Sequence, residues 1–230
     1  MEKIAICSAK GGVGKTTIAY SLAMKYHKAG KKIGLLDADI YGPNLINLFA
    51  YANPNQSAHN SKIKPAKLPY LIDGIEFSST DLLFDPDDAA MLRGPMLSKI
   101  LKELYEKSFS ADLDYLFIDM PPGTGDAYLT VCQKIVPNFV ILVSTVSKLS
   151  IADLRRSEHV FESLNTKVLG IILNNIHQSD DFQSFNLETE NTVLDRLEYD
   201  KKFVDSTYPF DDLKLDPLFL NTIRTIKEHE

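Results

Sequence analysis

The chain has 230 residues, 44% hydrophobic and 24% charged, proportions of an ordinary globular protein that exclude a disordered or fibrous class. Its formal net charge of −6 works against indiscriminate attraction to nucleic acid. No apolar run approaches the roughly 20 residues that span a bilayer, so a cytoplasmic protein with no membrane partner is expected, folded as a single domain over 1–230.

In chain order, an apolar strand over 4–7 leads into the glycine-rich run Ala9-Lys10-Gly11-Gly12-Val13-Gly14-Lys15-Thr16-Thr17 and a helix over 16–29. A strand over 33–36 follows, then a surface excursion near 51–70, rich in Asn, Pro, Ser and Lys. Helices over 95–107, 125–135 and 151–164 alternate with strands over 115–118, 139–143 and 168–173. A second polar excursion near 178–191 precedes a closing helix over 216–228. The strand runs lack polar alternation, the mark of parallel strands covered on both faces. Strand–helix alternation with right-handed crossovers gives an α/β fold, a doubly wound, mostly parallel sheet with helices on both faces. Ligands in such folds sit at the carboxyl ends of the strands. Lys25, Lys28, Lys31 and Lys32 are expected on a solvated helix face and turn. Cys7 and Cys132 have no Cys-x-x-Cys spacing and read as reduced packing residues.

The glycine-rich run carries the chemistry. A nucleoside triphosphate is held most economically by backbone N–H groups at a helix start, and Gly11, Gly12 and Gly14 let the loop that contains Val13 approach it closely. Lys15 supplies a charge to the β- and γ-phosphates, and the Thr16 hydroxyl can ligate Mg²⁺. Ala9 stands where the usual phosphate-loop pattern has its first Gly. Asp37 and Asp39 end the second strand and Asp119 ends a later one, where carboxylates would hold metal and water for phosphoryl transfer. Capping of the next helix or turn is the alternative for Asp37 and Asp39.

The run from Lys10 to Thr17 resembles the deviant P-loop of the ParA/MinD superfamily, which has an extra lysine before the glycines. With Asp37 to Asn44, Arg93-Gly94-Pro95-Met96, Asp119 to Asp126, Val143-Ser144-Thr145 and Leu169-Gly170-Ile171-Ile172, most of residues 3 to 208 resembles the Mrp/ApbC branch, implicated in iron–sulfur cluster assembly. The resemblance implies a slow Mg-dependent ATPase that binds ATP and ADP and forms a homodimer when ATP-bound. Its protein client is unknown, with an iron–sulfur apoprotein or scaffold the implied class. Lys15, Thr16 and Thr17 would hold phosphates and Mg²⁺, and Asp37 and Asp119 would support the metal through water. Asp39 would orient the attacking water, Lys10 would reach the partner's nucleotide, and Asn174 would read the adenine edge or serve as a strand-end turn residue.

Two departures qualify the likeness. Family cluster carriers have a Cys-x-x-Cys after the adenine-reading asparagine, whereas 176–185 here contains no cysteine, so an iron–sulfur cluster is not expected on this chain alone. His177, in that polar loop, reads as a surface residue. Val146-Ser147 replaces the usual Pro-Gln. A ParA/MinD-like spatial organiser and a regulatory nucleotide-binding module are the alternatives. Net acidity and the lack of a basic amphipathic tail count against the first, and the presence of Lys10 and Asp39 against the second.

Overall fold

The computed structural model describes residues 1–52, 69–82, 94–123, 125–179, 182, 189–201 and 218–229. The chain enters through β1 (Glu2–Cys7), whose last four residues are fully buried. They are buried because β1 lies inside the sheet, parallel to β5 (Tyr115–Asp119) on one edge and β6 (Phe139–Ser144) on the other. Beyond β5 come β2 (Ile33–Asp37), β4 (Ile75–Ser78) and the antiparallel edge strand β3 (Tyr70–Ile72). Beyond β6 come β7 (Lys167–Asn174) and β8 (Val193–Leu197), both parallel. The order is β3-β4-β2-β5-β1-β6-β7-β8.

Alternate residues of each strand face opposite sides, and each side has its own helical cover. Ile4, Ile6, Leu35, Phe117 and Ile141 pack with α1 (Lys15–Lys28), α2 (Leu45–Ala52) and α6 (Leu220–Glu228). Ala5, Cys7, Leu36, Ile118 and Leu142 pack with α3 (Gly94–Ser108), α4 (Asp126–Thr130) and α5 (Lys148–Ser163). The expected doubly wound, mostly parallel architecture is therefore present.

Several details depart from expectation. The helix expected over 125–135 is α-helical only through Thr130, then widens into a π-helical turn, Val131–Ile135, closed by Val136 at φ 53°. Lys3 Nζ donates to the Ile135 carbonyl at 2.6 Å and so satisfies one carbonyl at that end. Lys25 is half-buried rather than solvated, donating to the Leu218 carbonyl at 2.6 Å just before α6. The Asp195 carboxylate of β8 accepts the Asn221 and Thr222 N–H groups and thereby caps α6. Of the expected excursions, 53–68, 180–181 and 183–188 lie outside the described residues, as do Arg93, Thr124 and positions 216–217 of the expected closing helix. Residues 51–52 finish α2, and Tyr70 opens β3.

Candidate functional site

β1 ends at Cys7, and the chain must turn sharply before α1. Ser8 Oγ donates to the Lys10 carbonyl at 2.6 Å, and Gly12 and Gly14 take φ values of +76° and +93°, which L side chains rarely adopt. Val13 between them is buried, anchoring the loop to the core, while Lys10, Gly11 and Gly12 are exposed. α1 starts at Lys15 with Ile18 N–H bonded to the Gly14 carbonyl at 3.0 Å, and its N-cap, Gly14, provides no side-chain cap. Its leading N–H groups and partial positive charge therefore remain for an anion. Lys15 is buried at this end, 7% exposed.

Carboxylates stand opposite. Asp37 and Asp119 are in-register neighbours at the ends of β2 and β5. Asp37 Oδ1 accepts the Asp39 N–H at 3.1 Å, and Oδ2 accepts those of Asn44 at 3.1 Å and Leu45 at 3.2 Å. The capping alternative is thus realised at α2. A carboxylate offers about four acceptor sites, and backbone N–H groups occupy three of those on Asp37. Burial, then the neighbouring Asp119, raises its carboxyl well above the usual range. Asp39 accepts the Gly42 N–H at 3.2 Å, and Asn44 Nδ2 donates to the Gly42 carbonyl at 2.7 Å, so the turn after β2 is stitched around these side chains. Burial raises the Asp39 carboxyl, with the Gly42 N–H and then the Lys15 charge opposing.

Asp119 is the most demanding member. Burial pushes its carboxyl up to about 7, against the opposing Thr16 hydroxyl and Lys15 charge. Its Oδ1 is buried without a hydrogen-bond partner among the described residues. A buried, desolvated oxygen beside the Thr16 hydroxyl and the phosphate cradle fits a divalent cation, because a cation would supply the missing partner and favour the ionised carboxylate. Among the described residues no group of three or more His, Cys, Asp or Glu forms a metal cage. Mg²⁺ does not need one, being held by one or two carboxylates with water and substrate phosphates.

The predicted residues Gly11, Gly12, Val13, Gly14, Lys15, Thr16, Asp37, Asp39, Asp119 and Asn174 thus converge on one end of the sheet. Thr17 lies in the first turn of α1, its carbonyl accepting Ser21 Oγ at 2.7 Å. Asn174 ends β7 and donates from Nδ2 to the Val13 carbonyl at 3.0 Å. Sequence reasoning missed that contact. It also missed the hydroxyl cluster after β6, where Ser147 Oγ accepts the Ser150 N–H at 3.1 Å and caps α5 in place of the usual Pro-Gln. His177 is exposed. Cys7 and Cys132 are both buried, and burial raises Cys7 well above its ordinary value and Cys132 to about 12.

A glycine-rich turn between β1 and α1, with a buried lysine and strand-end carboxylates, defines a P-loop NTPase. Residues 1–195 match the ParA family model described as "NUBPL iron-transfer P-loop NTPase", and the chain belongs to that family. It is 42% identical over 172 residues to an iron-sulfur cluster carrier protein of Synechocystis sp., covering 74% of this chain and 48% of that protein. Against the protein of the same name from Pseudomonas fragi it is 40% identical over 173 residues, covering 74% and 59%. The chain therefore spans about half the length of the curated relatives it matches. Among solved structures, a nucleotide-binding protein from Archaeoglobus fulgidus in complex with ADP aligns with TM-score 0.67 and 28% identity over 92% of this chain and 91% of that one. The septum site-determining protein MinD of Pyrococcus horikoshii, complexed with Mg-ADP, has TM-score 0.73 at 18% identity over 99% and 96%, a likeness of fold. No helix among the described residues is long and apolar enough to cross a membrane.

Proposed function

We propose that the protein binds ATP with Mg²⁺ at this site and hydrolyses it slowly, as a nucleotide-switched homodimer acting in, or derived from, iron–sulfur cluster assembly or transfer. The observation that carries the reading is the unpartnered Asp119 Oδ1 beside Thr16, Lys15 and an uncapped helix start. The N–H groups of Gly11 to Gly14 and the Lys15 ammonium would hold the β- and γ-phosphates. Thr16 and Asp119 would hold Mg²⁺, with Asp37 acting through water, and the ion when bound supplies neutralisation of charge on the transferring phosphate.

Asp39, held by the turn that follows β2, would orient the attacking water. Exposed Lys10 would act on the nucleotide of a second copy. Asn174 keeps an amide oxygen that could accept the adenine amino group. The name of the carrier relatives supports the client class, an iron–sulfur apoprotein or scaffold. Burial of both cysteines supports a role in which this chain supplies the ATPase and does not hold a cluster on its own thiols.

Titration calorimetry with Mg-ATP tests the core of this reading. Wild type should bind, and Lys15→Ala should lose most of the affinity because a direct charge on the phosphates disappears. Equal affinity in the two proteins would remove the loop from this role.

A further inference from the structure

Gly14 occupies a position where two constraints meet. Its φ of +93° favours glycine, and a Cβ built there would lie 2.5 Å from Asn174 Nδ2. The same nitrogen donates to the carbonyl of Val13, 161 residues away in sequence. Val13 O and the Gly14 N–H belong to one peptide group, which is planar and trans, so the two point in opposite directions. Whatever holds the carbonyl outward on one side of the loop therefore aims the N–H at the other.

The holder is itself rigid. Asn174 pairs with Leu197 of β8, and the next residue's N–H bonds to the Leu197 carbonyl at 2.9 Å. The clamp is thus mounted on the sheet and not on a loop, the arrangement that keeps a site within a fraction of an ångström. A carbonyl just ahead of a helix start, in a left-handed turn, also lacks the regular helical acceptor role, and the Asn174 amide satisfies it.

We infer that Asn174 is a positioning residue for the phosphate cradle: by holding the Val13 carbonyl it fixes the Gly14 N–H toward the triphosphate, whatever base the nucleotide carries. This rests on the P-loop being the nucleotide site and adds to any contact Asn174 makes with adenine.

The test compares Mg-ATP with Mg-tripolyphosphate, which has no base, by calorimetry on wild type, Asn174→Ala and Asn174→Asp. The Asp variant keeps the shape and loses the donor. Asn174→Ala should bind tripolyphosphate about tenfold more weakly, the scale of one hydrogen bond, and Asn174→Asp more weakly still because its added charge also repels the anion; any additional loss on ATP in Asn174→Ala reports the base contact. The Gly14 amide resonance of the ligand-free protein should also shift in both variants while that of Gly30, at the far end of α1, stays in place. Wild-type affinity for tripolyphosphate in the variants, or an unmoved Gly14 resonance, overturns the inference. Wild type that binds neither ligand would defeat the nucleotide-site reading itself, and the resonance, which needs no ligand, would still decide on the clamp.

Discussion

Asp37 and Asp119 stand side by side at the ends of β2 and β5, both buried, yet only Asp37 has its carboxylate oxygens engaged by backbone N–H groups. Asp119 keeps one oxygen without a partner among the described residues. The pair therefore divides its labour: one carboxylate orders the turn after β2, and the other stands beside the phosphate cradle with one oxygen that no hydrogen bond engages among the described residues.

This asymmetry sets a pH dependence. Asp119 is raised to about 7 in the folded protein, against about 3.9 for an unperturbed Asp. Between those values the folded state keeps a proton that the unfolded chain has released. Stability of the nucleotide-free protein should therefore fall as pH rises from about 4 to about 7 and level off above for this group, with the neighbouring Asp37, raised by the same burial, adding to the trend in the same direction. Urea unfolding in EDTA at several pH values checks it. Asp119→Asn should show a flatter profile than wild type; parallel profiles would contradict the assignment.

The inner strands were legible because burial on both faces writes an uninterrupted apolar run, as in Tyr115–Asp119 before its terminal carboxylate. β8 was not, since its Asp195 caps α6 and its Arg196 donates to the Phe182 carbonyl, so tertiary tasks place charges inside a strand. The β3–β4 hairpin is short, but Asp73-Gly74, at φ 50° and 83° between apolar residues, was a readable turn signal. In the site, the P-loop was legible because its chemistry is local in sequence. The bond from Asn174 to Val13 was not, because only the strand order brings β7's end to the loop after β1.

Substitution within the glycine loop should be sharply position-dependent. Gly14→Ala forces a side chain into a left-handed conformation and against Asn174, so it should destabilise the fold by roughly 1–3 kcal/mol and weaken Mg-ATP binding. Gly11→Ala meets nothing nearer than Pro122 Cβ at 4.0 Å and should stay within about 0.5 kcal/mol of wild type in stability. Denaturant midpoints of the two variants give the comparison. Equal destabilisation would mean that backbone conformation and the Asn174 contact do not govern the loop.

The thiols should be inert. Cys7 lies on an inner strand and Cys132 on the π-helical turn, and burial disfavours the thiolate of each. Metal ligation and disulfide exchange both need the thiolate. A thiol reagent at neutral pH should react with the two cysteines only after unfolding, and anaerobic reconstitution should leave no stable [4Fe–4S] cluster on this chain. About four irons per dimer with persistent visible absorbance, lost on Cys7→Ser or Cys132→Ser, would reverse this conclusion.

Lys10 and Asp39 should separate binding from turnover. Lys10 is exposed at the rim of the loop, whereas Lys15 is buried at the helix start, so the two cations have different reach. A lysine acting across a two-fold axis, as a charge supplied in trans, would act mainly on the oxygens of the transferring phosphoryl group. Its removal then costs hydrolysis more than ground-state binding. Charges of that kind can be worth on the order of 10³-fold, and a slow intrinsic rate leaves a smaller measurable loss. Lys10→Ala should bind Mg-ATP with near wild-type affinity, hydrolyse it poorly and remain monomeric when ATP is added. Asp39→Ala should affect the oligomer in the opposite sense: with no carboxylate to orient water, ATP persists and the dimer accumulates. Light scattering with and without ATP, beside single-turnover hydrolysis, reads both variants in the same samples. A Lys10→Ala protein that dimerises and hydrolyses like wild type would require a site that works within one subunit, with Lys10 a surface residue of the loop.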